Sequence, residues 1–200
     1  MTDFQTKLPA EMRKMQILLC AMTEFSRSNY RATKVSDIAA EAGISEAMIY
    51  KLFPTKRALF LGTLDLLSDS VLDVMEEERN KEPNALEALR NMEYMHVDRM
   101  SDFPESITIQ FQAISESADK EIKKKLKLYY EKIVEFYREI VVKGIKEGSI
   151  RPDLDIDAVT FMFFGGGLIR NVEKKITSEE EFDRDKAIKM VDCLVDFLRK

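Results

Sequence analysis

Apolar side chains return every three or four residues through almost the whole chain, the repeat that lines one face of an α-helix, and this narrows the fold more than any other feature. Residues 9–28 set Met12, Met15, Leu18, Leu19, Met22 and Phe25 along one face. Residues 35–42 and 46–52 make two short helices. Residues 55–79 repeat through Leu59, Phe60, Leu64, Leu67, Val71, Val74 and Met75. Further helical segments cover 86–103, 105–116, 119–148, 156–176 and 180–200. The period of two that marks a strand is sustained nowhere, and seven glycines with five prolines are too few for the tight turns of an all-β protein. The expectation is an all-α chain of about nine helices.

Breakers and caps punctuate these segments. Gly43 falls where a positive φ ends a short helix, and Ser45 stands as N-cap of the next, with Ile44 as an apolar anchor. Pro54 stops that helix and Thr55 caps the one after it. Residues 81–84 and Pro104 make further breaks, Asp119 opens a long helix, Gly148 closes it and Asp155 caps another. Residues 150–155 read as a solvent-exposed connector. Gly165, Gly166 and Gly167 lie inside a helical pattern, each costing about 1 kcal/mol against alanine. No strand precedes them, so they are not a phosphate loop, and they suit close approach of another helix or room for a ligand. The division expected is a head of residues 1–54 and a body of residues 55–200.

Composition excludes several classes. Histidine occurs once and no CxxC pair exists, so neither a zinc site nor another cofactor is expected. No nucleophile elbow, phosphate loop or catalytic His/Asp pair is present, which argues against an enzyme with catalytic residues. No apolar run is long enough to span a membrane, and the first residues lack a basic-then-apolar leader. Cys20 and Cys193, each in an apolar helical pattern, read as buried free thiols in a reducing cytoplasm. The net charge is -5, but residues 1–60 carry nine basic and six acidic side chains, so a mildly basic head joins an acidic body.

Residues 36–53, SDIAAEAGISEAMIYKLF, carry the sharpest functional signal. Two short helices meet at Gly43, and the small Ala39 and Ala40 let their axes come close, as in a helix-turn-helix. Ile38, Ala42, Ile44 and Ile49 lock the pair and leave the outer face of residues 45–51 free to enter a major groove. Residues 13–60 thereby resemble the DNA-binding domain of the tetracycline-repressor (TetR) family. The resemblance rests on Phe25, Asn29-Tyr30-Arg31-Ala32-Thr33, Asp37 through Ser45, Tyr50-Lys51-Leu52-Phe53 and Lys56. The connector Glu147 to Asp153 fits the same architecture.

The resemblance implies phosphate contacts by Thr33, Tyr50 and Lys56, and a groove face of Ser45, Ala47, Met48 and Lys51. Lys34 and Glu46 complete the candidate DNA-facing set. Each has a plainer alternative: packing for Tyr50, a simple cap for Ser45, solvated surface for Lys51. Glu46, Ala47 and Met48 depart from the Lys or Arg, Gly and Thr frequent at these places, so the operator implied is unusual for the family. Glu46 repels phosphate unless it accepts from a cytosine amine, and Met48 offers only apolar contact.

For the body, the resemblance implies an effector pocket and a dimer. Met92, Met95, His96, Met100, Phe103, Phe111, Tyr129 and Phe163 are the candidate walls for a small apolar or amphipathic effector; the alternative for each is ordinary core packing. Residues 155–176 and 180–200 would pair with a second copy in a four-helix bundle, giving the two-fold symmetry that reads a palindromic double-stranded operator. The function expected is a ligand-responsive repressor in the cytoplasm, released when a ligand wedged against residues 55–79 moves the heads apart. A helical interaction module without specific DNA binding is the alternative, and Glu46 is its best argument.

Overall fold

A computed structural model describes residues 9–102, 104–177 and 181–200, the side chains of 100–102 excepted. Among the described residues the chain forms nine α-helices and no strand, with one isolated bridge between Ile150 and Arg199. The helices are α1 Ala10–Arg27, α2 Val35–Glu41, α3 Glu46–Leu52, α4 Lys56–Lys81, α5 Ala85–Asp102, α6 Pro104–Ser115, α7 Lys120–Glu147, α8 Ile156–Ile176 and α9 Arg184–Leu198. Side-chain caps start α3, α4, α7, α8 and α9, where Ser45, Thr55, Asp119, Asp155 and Asp183 accept from backbone N–H groups left without an intrahelical partner.

Two apolar clusters organise the molecule, and α4 contributes to both. The first gathers Ile17, Ala21, Phe25, Ile38, Ile49, Phe53, Leu59 and Phe60, and also Ile109 and Ala113 of α6 and Ile122 of α7. Phe25 meets the edge of Phe60 at 5.1 Å between centroids, and Tyr30 lies 4.5 Å from the same ring. The second runs from Met75 through Leu86, Leu89, Met92, Ile133, Tyr137, Ile140 and Phe163 to Val191, Val195 and Leu198. Helix α5 lies at its centre, packed by α4, α7, α8 and α9.

The structure departs from several expectations. The buried ridge of α1 is Ile17, Ala21 and Phe25, whereas Met12, Met15 and Leu19 are exposed. The ridge holds a small residue in its middle, which lets α1 approach its neighbours more closely than a row of methionines would. Neither cysteine is buried: Cys20 is half-buried and Cys193 exposed. The connector after α7 is anchored, since Ile150 is fully buried and its N–H donates to Gly144 O at 3.0 Å. Gly144 makes this possible, because a Cβ there would meet Ile150 Cδ1 at 2.5 Å. The last helix begins at Arg184, and residue 180 lies outside the described residues. No helix is long and apolar enough to cross a membrane among the described residues.

Candidate nucleic-acid interface and effector cavity

The turn between α2 and α3 is built by backbone chemistry. Gly43 takes φ +64°. Its N–H donates to Ala40 O at 3.1 Å, and Ile44 N–H reaches Ala39 O at 3.0 Å. This paired pattern satisfies the last carbonyls of a helix and needs a left-handed residue. Ser45 Oγ then accepts from Met48 N at 3.3 Å. Helix α3 buries only Ile49, so Ser45, Glu46, Ala47, Met48, Tyr50 and Lys51 are all exposed, as is Lys34 one element earlier.

Two of the residues that the resemblance marks for phosphate sit otherwise. Thr33 is 3% exposed, and its hydroxyl points inward, 2.8 Å from Asn29 O and 3.2 Å from Glu24 O. Its side chain therefore holds the loop rather than facing solvent. The Lys56 ammonium donates to Arg31 O at 2.9 Å and Thr33 O at 3.0 Å and lies over the Tyr30 ring at 5.2 Å. Of the three N–H groups of an ammonium, that leaves one for an outside acceptor. With Asn29 Oδ1 accepting from the N–H groups of Arg31 and Ala32, the segment between α1 and α2 is tied at both ends.

The segment carrying α1 to α3 is fastened to the end of α6, and the start of α4 to the start of α7. Gln112 Nε2 donates to Phe25 O at 2.7 Å. Arg31 grips Glu116 with two bonds of 2.7 and 3.0 Å, and Arg57 pairs with Asp119 at 3.2 Å. These exposed ion pairs add little stability, but the bidentate one fixes an angle.

Behind them lies a cavity of about 400 Å³. Leu67, Val71 and Met75 of α4, Met92 and His96 of α5, Ile107 and Gln110 of α6, Tyr129, Ile133 and Tyr137 of α7, and Phe163, Phe164, Gly167 and Asn171 of α8 line it. It opens past the exposed Leu19, Asp65, Leu128 and Lys132, and Lys125 there pairs with Asp65. Of the expected wall residues, Met92, His96, Tyr129 and Phe163 are present. Met95 and Phe111 do not line it, because they lie on other faces of their helices. The Met100 side chain and Phe103 fall outside the described residues.

Beneath the cavity floor lies a buried polar cluster that the sequence reading did not single out as a site. Arg170 and Glu93, each 2% exposed, form an ion pair, and the Tyr137 hydroxyl donates to the same carboxylate. Burial, then Glu93, pushes the Tyr137 phenol well above its usual value, and burial pushes Tyr129 to about 12. Burial also lowers the His96 imidazole, which stays neutral. Its neighbours include Glu93, Arg170, Asn171 and Gly167. Asn171 Nδ2 donates to Gln110 Oε1 at 2.9 Å. The glycine run gives room here: a Cβ on Gly166 would stand 3.3 Å from Arg170 Nη1, and one on Gly167 3.8 Å from His96 Nε2. The signal for Asn171 was its spacing, four residues after Gly167 and eight after Phe163 on one helix face. On the opposite side of α8 and α9, Phe161, Met162, Ile169, Ile176, Met190 and Phe197 are exposed.

Comparison with known proteins fits both halves. Residues 17–63 match the model of bacterial regulatory proteins of the tetR family, and residues 57–196 match that of the YsiA-like protein C-terminal region. The fatty acid metabolism regulator protein of Bacillus subtilis is 22% identical over 169 residues, 84% of this chain and 86% of that one. The nucleoid occlusion factor SlmA of Shewanella loihica shares 34% over 76 residues, 36% of this chain and 39% of its own. Among solved structures, FadR of Bacillus subtilis in complex with stearoyl-CoA superposes with a TM-score of 0.79 at 20% identity, covering 93% of this chain and 97% of that one. A transcriptional regulator of Saccharomonospora viridis in complex with choline gives 0.84 at 20% identity, covering 96% and 100%. The chain belongs to the TetR family of bacterial regulatory proteins, with a body of the YsiA-like type.

Proposed function

We propose that the chain is a transcriptional repressor that grips a palindromic operator as a homodimer and releases it when a small, largely apolar effector fills the cavity. The observation that carries this is the double contact of α6. Ile107 and Gln110 line the cavity, while Gln112 on the same helix and Glu116 just past its end bond Phe25 O and Arg31 of the head. A ligand that displaces α6 or the α4 wall moves the head as well. It shifts the equilibrium only by its preference for the released arrangement.

In this reading residues 1–54 are the reading head and 55–200 the sensing and dimer-forming body. Lys34, Tyr50, Lys51 and the remaining N–H of Lys56 reach phosphates; Ser45, Glu46, Ala47 and Met48 reach base edges. The exposed apolar stripes of α8 and α9 support pairing of residues 155–176 and 180–200 with a second copy. The site of action is the cytoplasm.

The effector class follows from the walls. Stearoyl-CoA in Bacillus subtilis FadR joins a long apolar chain to a polar head. A cavity walled by Leu, Met, Phe and Tyr with Lys132 exposed at its opening suits a molecule of the same design. A quaternary ammonium such as choline fits less well, since the Glu93 carboxylate near His96 is already paired with Arg170. Mobility shift of the DNA upstream of the chain's own gene tests the reading. A retarded complex is expected at low salt, weakening steeply as salt rises and dissolving in stearoyl-CoA. No complex at low salt would leave the interaction-module reading in its place. A complex indifferent to stearoyl-CoA would remove the acyl-CoA class.

A further inference from the structure

Two buried polar atoms at the floor of the cavity, His96 Nε2 and Asn171 Oδ1, make no well-formed hydrogen bond, although the two side chains lie close enough to interact, and both side chains line the cavity. Asn171 is 7% exposed, held by its other amide atom to Gln110, so its free oxygen cannot turn to solvent. Burying such a group without a partner costs stability, which makes the pair a recognition element rather than packing.

The charges around them restrict what can bind. Arg170 is paired with Glu93 and does not line the cavity, and Glu93 also accepts from Tyr137. A carboxylate beside the pair would find no unpaired cation, since Arg170 is engaged by Glu93. An ammonium beside the pair would find only the Glu93 carboxylate, which is already paired with Arg170. A ketone could accept from one atom of the pair but would leave the other unbonded. A hydroxyl can accept from a protonated Nε2 and donate to Oδ1, or do the reverse with the Asn171 amide turned and the other imidazole tautomer. We propose that His96 and Asn171 together recognise an uncharged hydroxyl on the buried apolar part of the effector, so that the natural effector is a hydroxylated apolar molecule and not a plain chain. This rests on the cavity being the effector site.

Isothermal titration of the purified full-length protein with matched probes tests it. The probes are ω-hydroxy acids, unsubstituted fatty acids and α,ω-diacids of the same chain lengths, from octanoyl to hexadecanoyl. At the best length the hydroxy acid is expected to bind about tenfold tighter than the plain acid, and the diacid more weakly than either. Asn171→Leu and His96→Phe, prepared separately and checked by circular dichroism, should each reduce that preference to about twofold or less while the plain acid still binds. Equal binding of hydroxy and plain acids by the unaltered protein overturns the inference by itself, and so does a preference that survives both substitutions. Failure of every probe to bind overturns the effector-site reading along with it.

Discussion

Thr33 and Lys51 separate two roles that one motif places side by side. Thr33 is buried with its hydroxyl on the carbonyls of Asn29 and Glu24, whereas Lys51 stands exposed on α3. Thr33→Val is expected to lower stability by about 1–2 kcal/mol in chemical denaturation and to leave the salt slope of operator binding unchanged. Lys51→Met should leave stability unchanged and make that slope shallower by about one. At the cavity floor, His96 has an imidazole held below its usual 6.5 by burial, with Glu93 opposing and Arg170 assisting. The native state therefore binds fewer protons than the unfolded one, so stability is full above about 6.5 and declines as pH falls toward the depressed native value. Thermal unfolding between about pH 7.5 and 5.5 should show a steeper loss for the natural protein than for His96→Gln. Motif residues were legible one by one because turn chemistry is local: Gly43 and Ser45 do in the structure what their types require. Inward turning of Thr33 and capture of Lys56 by Arg31 O and Thr33 O were not, since the acceptors arrive with the tertiary fold.

At the scale of helices, the period of the apolar repeat located every element, and side-chain caps fixed most starts. Faces were less legible. Met12, Met15 and Leu19 share α1 with Ile17, Ala21 and Phe25, and only packing against α4 and α6 decides which row turns inward. The cavity suffered most, because His96, Gln110 and Asn171 come from α5, α6 and α8 and meet only in space. Methionine content pointed toward Met92 but equally toward Met95, which lies on another face. Helices α8 and α9 carry the element-scale prediction. Ile169 is 57% exposed on the apolar face of α8, so Ile169→Asp places a charge in the expected dimer bundle without entering the protomer core. Sedimentation velocity should find the natural protein dimeric and the variant monomeric with unchanged helical content. A variant that remains dimeric places the interface elsewhere.

The whole molecule is two apolar clusters with α4 running through both and α6 bridging the cavity and the head. That arrangement makes cavity and reading helix parts of one packed unit, and a change at either must be accommodated at the other. Filling the cavity is expected to change the distance between the two α3 helices of a dimer. Spin labels on the exposed Ser28→Cys at the end of α1 of each protomer, with Cys20→Ala and Cys193→Ser to remove the native thiols, allow pulsed electron resonance to follow the separation of the two N-terminal helical segments that carry α3. Without effector it should fit half-sites about one helical turn apart, and an effector that dissociates the operator should shift the distribution. Operator release with an unchanged distance distribution would contradict the account.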